Sequence, residues 1–81
     1  MTNNETVHKL KIKPKYFNDV CFNHKNFELR KDDRGYKVGD RIVLEEWDGD
    51  YTGRTYMPSH PIQYILRDCD GLQDGYCILG W

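Results

Sequence analysis

The 81-residue chain has no apolar run approaching the ~18–20 residues that a bilayer crossing needs, which excludes a membrane-spanning helix. Its polar opening, Met1 to Thr6, lacks the apolar stretch of a secretory leader, so a cytoplasmic protein is expected. Cysteine is scarce and oddly placed. Cys21, Cys69 and Cys77 contain no Cys-x-x-Cys spacing, which argues against both a disulfide framework and a metal knuckle. His8, His24 and His60 are equally scattered, so no metal and no cofactor is expected. Cys21 and Cys77 then read as small core hydrophobes. Net charge is almost absent at −1, unlike a highly charged disordered tail.

Aromatic residues, at 14% of the chain, are what the sequence does have. A chain this short buries roughly 60% of its unfolded surface, and large rings fill so small a core with few side chains. One domain is expected over 8–81, after a loose polar lead-in over 1–7. Charge is balanced in total but not along the chain. Residues 8–41 carry ten basic side chains against five acidic, and residues 42–81 carry two basic against seven acidic. Kept apart in space, the halves would give one positive face able to attract phosphate. Interleaved in a sheet, they would give ordinary salt bridges.

His8 to Ile12 alternates as a half-buried strand, with Lys9 and Lys11 on its polar side. Pro14 suits the first turn of a helix, and Tyr16, Phe17, Val20 and Cys21 form one apolar stripe at helical period. Asn23 suits the left-handed position just past a helix end. Strands are predicted over Asn26 to Lys31, Arg41 to Trp47, Tyr51 to Met57, Ile62 to Leu66 and Tyr76 to Leu79. Turns fall at Asp32 to Gly35, Val38 to Asp40 and Asp48 to Asp50, and a Gly/Asp-rich loop spans Asp68 to Gly75. Short strands at intervals near ten residues predict an α+β, mostly β fold: a five- or six-stranded barrel with one or two short helices.

The run His8-Lys9-Leu10-Lys11-Ile12, then Pro14, Tyr16-Phe17 and Lys25-Asn26-Phe27-Glu28-Leu29-Arg30-Lys31, is similar to the opening of ASCH domains (activating signal cointegrator homology). These belong to the PUA-like superfamily of small β-barrels. More narrowly, Arg30-Lys31-x-Asp33-Arg34, Val38-Gly39-Asp40, Glu45-Glu46-Trp47, Tyr51-Thr52-Gly53-Arg54 and Gly75-Tyr76-x-x-Leu79-Gly80 resemble an uncharacterised bacterial and phage family within it. The resemblance covers nearly all the chain from His8 onward and departs at Asn23, where Gly is usual. It implies the barrel-plus-helix fold and a role in binding RNA.

Lys25 lies just past the predicted helix, and Glu28 and Arg30 share one face of the next strand. They are expected to converge in a groove between helix and barrel, the cations facing phosphate or carbonyl groups and Glu28 accepting from a base amine. The bland alternative is an ion pair that only orients the strand, worth about 0–1 kcal/mol. Trp47, Tyr51 and Arg54 form a second candidate group around the Asp48–Asp50 turn, where rings beside a guanidinium suit base stacking. Equally, Trp47 would cap the barrel and Tyr51 fill a strand. Lys11, Lys31 and Arg34 flank the groove as phosphate contacts or as solvated charges.

No catalytic residue is assigned. Some ASCH-type proteins are amidohydrolases acting on acylated cytidine through a lysine, a threonine three residues later and a distant glutamate. Lys25 matches the lysine, but Glu28 stands where the threonine would, and a carboxylate does not replace that hydroxyl nucleophile without a different mechanism. A protein-interaction module would rely on the acidic second half or exposed aromatics, for which no motif argues. The expectation is a monomeric domain binding RNA or a nucleotide-like ligand, with a small amidohydrolase as the alternative.

Overall fold

The computed structural model describes residues 5–81. Alternating side chains make Val7–Ile12 the first strand, β1, with His8, Leu10 and Ile12 buried in turn. Pro14 then opens helix α1, Pro14–Cys21, whose Phe17 and Val20 are buried and pack it against the third strand. Asn23 ends the turn after it in the left-handed region, at φ 61°, its amide donating to the Val20 carbonyl. The chain can thereby reverse into β2, Phe27–Lys31. Four strands follow: β3, Arg41–Trp47; β4, Tyr51–Tyr56; β5, Tyr64–Leu66; and β6, Tyr76–Gly80.

The fold is mostly β with one helix, but the ladders do not close into the expected barrel. They form two three-stranded sheets, β1-β3-β4 and β2-β6-β5. β1 runs parallel to β3, and the remaining pairs are antiparallel. The open seam lies between β1 and β2, where side chains take the place of a ladder. Arg30 donates to the Lys11 carbonyl at 2.6 Å and Arg34 to the Lys9 carbonyl at 2.8 Å. Guanidinium groups thus satisfy β1 carbonyls that a neighbouring strand, about 4.8 Å away, would otherwise bond.

Two boundaries also differ from expectation. The strand predicted from Ile62 begins only at Tyr64, because the Ile62 amide and carbonyl bond to Asp40 and Gly39 of the β2–β3 connection. Part of the lead-in is anchored: Thr6 accepts from the Arg41 amide, Glu5 pairs with the Arg41 side chain at 2.8 Å, and Val7 already belongs to β1. Residues 1–4 of that lead-in lie outside the described residues. No described helix is long and apolar enough to cross a membrane.

Leu10, Ile42, Leu44, Ile62, Cys77 and Leu79 fill the core between the sheets, with Phe17 and Val20 closing one side and Tyr36 another. Cys21 packs at the margin of this cluster, so both it and Cys77 serve as small hydrophobes. Each sheet combines strands from both halves of the chain, which sets basic and acidic segments side by side. Arg67 on Asp32, at 2.5 Å, joins the acidic half to the basic one.

Candidate functional site

Strand β2 turns Glu28 and Arg30 inward and Phe27, Leu29 and Lys31 outward. Glu28 is 6% exposed, whereas Phe27 and Leu29 are 46% and 56% exposed. An isolated carboxylate would not survive such burial, but Glu28 has two cations. The Lys25 ammonium donates to Glu28 Oε1, and Arg30 Nε lies 3.5 Å from Oε2. Lys25 reaches Glu28 because the Asn23 turn brings the chain back beside α1 three residues before it. Its ammonium sits 5.2 Å from the ring centres of both Tyr16 and Phe27, so two aromatic faces attract the same cation.

Lys25 and Glu28, with Tyr16, Phe27 and Leu29, line a recess of about 360 Å³, a size suited to a small-molecule subsite. Two hollows are larger, at 520 and 430 Å³. The first contains Arg41, but that guanidinium is spent on Glu5 and on the Ser59 carbonyl. The second contains no Lys or Arg. The recess beside β2 is smaller but unites a cation, a carboxylate and two rings. Arg30 does not line this recess: half-buried behind Glu28, it bonds the Lys11 carbonyl, and its solvent-sealed Nε faces Glu28 Oε2 at 3.5 Å without hydrogen-bond geometry. Two cations facing one carboxylate leave the cluster with a charge of +1.

The other candidate residues do not all gather here. Lys11 points out from β1 with its ammonium 4.0 Å from the Trp47 ring and 5.5 Å from Tyr51. Trp47 and Tyr51 meet edge to face at 4.8 Å. These three form one cation–aromatic patch on the outer face of β1-β3-β4, joined to the recess through the Lys11 backbone. Arg54 belongs elsewhere. It stands three residues after Tyr51 on β4, so strand alternation turns it to the opposite face, the helix side. There it donates to buried Glu46 at 3.2 Å and lies 4.7 Å from the Phe17 ring. The Thr52 hydroxyl donates to the same carboxylate at 2.7 Å. Arg34 serves the β1 seam, and Lys31 is exposed on the outer face of β2.

Sequence reasoning missed Tyr16 and Phe27 as the walls around Lys25. The signal was present in Phe27, which follows Lys25 by two residues on a strand whose opposite face is charged. Also missed was Tyr36, buried in the β2–β3 connection and edge-on to His8 at 4.7 Å. Burial raises the Tyr36 phenol above its ordinary pKa, against the lowering influence of Arg30 and Arg34. The Cys77 thiol is likewise pushed up, first by burial and then by Asp32.

Two facing three-stranded sheets with a single helix and a charged recess beside the edge strand β2 thus define a small β-rich domain. Residues 7–81 match the family described as a domain of unknown function (DUF3850), and the chain belongs to that family. A stretch of 49 residues, 59% of this chain, is 45% identical to an uncharacterised 12.9 kDa protein in the GpA 3′ region of Escherichia phage P2. The match covers 45% of that phage protein, so the chain spans less than half the length of this relative.

Proposed function

We propose that the domain is a monomeric cytoplasmic module of the ASCH type that binds single-stranded RNA through the recess at Lys25, Glu28 and Arg30. PUA-like kinship is part of this proposal, with the β1–β2 seam held by Arg30 and Arg34 instead of a closed ladder. The observation that carries it is the recess itself, where the Lys25 ammonium, the Glu28 carboxylate and the Tyr16 and Phe27 rings meet, with Arg30 behind Glu28 bringing the cluster to a charge of +1. An excess of one cation beside a partly open recess suits a phosphate or base carbonyl, which accepts charge-assisted hydrogen bonds. Tyr16 and Phe27 offer ring faces beside the same cation, which suits the flat part of a nucleotide.

The amidohydrolase alternative has less support, because the hydroxyl paired with a buried carboxylate is Thr52 on Glu46, among residues that do not line the recess. Binding is tested by fluorescence anisotropy with a labelled single-stranded RNA. Affinity should fall with salt by about 0.7 in log K per phosphate contacted. Arg30→Ala should abolish binding, with circular dichroism used to verify the fold. Because Arg30 also caps the β1 edge, Arg30→Lys serves as a second variant: it keeps a charge, loses the fork and should bind more weakly. Parental affinity in both variants refutes the assignment of the recess. Release of acyl groups from an acylated nucleoside, lost in Lys25→Ala, would favour the hydrolase.

A further inference from the structure

Among the described residues, the outer face of β2-β6-β5 is apolar, and its two flanking strands are exposed there. Cross-strand partners share a face. The inner face is marked by Cys77 and Leu79, both at 0% exposure, with their partners Arg30 and Glu28. The outer face therefore carries Phe27 opposite Gly80 opposite Tyr64, and beside that row Leu29 opposite Ile78 opposite Leu66. Phe27, Leu29 and Tyr64 are 46%, 56% and 66% exposed.

The first row has the form of a slot. Phe27 and Tyr64 stand on strands two steps apart, about 9–10 Å at ordinary sheet spacing, and the residue between them has no side chain. A flat ring in contact with both neighbours at about 3.5–4 Å on each side needs about 7–8 Å. A Cβ at Gly80 would touch only the Tyr64 carbonyl oxygen, at 3.7 Å. The floor is therefore open space that a side chain would fill.

Charge selects the occupant. These two rows hold no acidic residue, although the chain has 13. Exposed Lys31 projects from the same face of β2, and the Lys25 ammonium, shared with Glu28, lies 5.2 Å from the Phe27 ring. Rings flanked by cations suit a polyanion that carries flat bases. A second copy of the chain fits less well, because a two-fold contact would set this same cationic edge against itself.

We infer that the outer face of β2-β6-β5 is a base-stacking platform for unpaired nucleotides, with one base held between Phe27 and Tyr64 over Gly80. It rests on the nucleic-acid reading of the recess and extends the path of the strand around the β2 edge, where Phe27 contributes to both surfaces.

The test is fluorescence anisotropy with a labelled oligouridine and a labelled oligoadenosine of about eight nucleotides. Parent, Tyr64→Ala, Gly80→Val and Arg30→Ala are compared, with sedimentation used to read oligomeric state. Tyr64→Ala and Gly80→Val should each weaken binding about five- to hundred-fold, leaving the salt dependence unchanged because no phosphate contact is removed. Gly80→Val is the cleaner variant, since it keeps both rings and fills the space between them. Parental affinity in both, with loss in Arg30→Ala, overturns the platform and leaves the recess standing. Loss in both with Arg30→Ala unaffected supports the platform and refutes the recess. Failure of the parent to bind either oligonucleotide overturns the platform. So does a parental dimer that Tyr64→Ala converts to monomer, which would make the face a self-association surface.

Discussion

Replacing Glu28 with leucine, which is similar in size, removes the carboxylate and leaves two half-buried cations facing each other. Taking one member from a buried ion pair costs about 3–5 kcal/mol. Here the Lys25 and Arg30 side chains keep 15% and 24% of their surface in water, so both ions can partly resolvate. That reduces the expected loss to about 2–3 kcal/mol. With a urea m-value of about 1–1.5 kcal/mol/M for a chain this small, the unfolding midpoint should drop by about 1.5–2.5 M at unchanged slope. The triple variant Lys25→Met, Glu28→Leu, Arg30→Met should recover part of that loss, because apolar replacement of a whole buried cluster is near neutral. It forfeits the Arg30 bond to the Lys11 carbonyl, about 1 kcal/mol, and the attraction of the Lys25 cation to the Tyr16 and Phe27 rings, about 0.5–1 kcal/mol. A midpoint for Glu28→Leu within about 0.5 M of the parent would refute this reasoning, since the pairs would then act like exposed ones.

Arg54→Ala should destabilise the domain by about 1–2 kcal/mol in the same urea assay, because buried Glu46 keeps only Thr52 and the Phe17 ring loses its cation. RNA affinity in that variant should stay within about twofold of parent, which titration checks. Stability should also decline on the alkaline side. Below the ordinary tyrosine pKa of about 10, folded and unfolded chains both keep the phenol proton and Tyr36 contributes fully. Above it the unfolded chain ionises first, so stability is lost as pH climbs towards the raised folded value. Cys77 behaves in the same way from about pH 8.5 upward. Urea midpoints from pH 7 to 11 should fall for the parent and fall less for Tyr36→Phe.

Local elements were legible because their signals are local. Pro14, the Tyr16–Cys21 stripe and Asn23 mark a helix start, face and end, β1 alternates along its length, and β3 shows its apolar centre Ile42 to Leu44. Sheet closure was not legible, because strand pairing depends on long-range geometry. The seam is decided by Arg30 and Arg34 reaching β1 carbonyls that lie 19 and 25 residues away in sequence. Within the site, convergence of Lys25, Glu28 and Arg30 followed from period-two spacing plus a reversing turn. The separation of Arg54 from Tyr51 was legible too, in their odd spacing on one strand and in Gly53, whose φ of 91° falls at the register shift, but grouping residues by nearness to the turn overlooked it. Tyr36 stayed hidden for a different reason: it is a core ring in an irregular connection with no periodicity to reveal it.

Amide chemical shifts followed during titration with a single-stranded oligonucleotide test the central claim most directly. The largest changes are expected at Lys25 and from Phe27 to Arg30, with the Arg30 Nε–H signal moving as the cluster meets a phosphate. Changes confined to the β3–β4 end around Glu46 and Arg54, or none at saturating oligonucleotide, would contradict it.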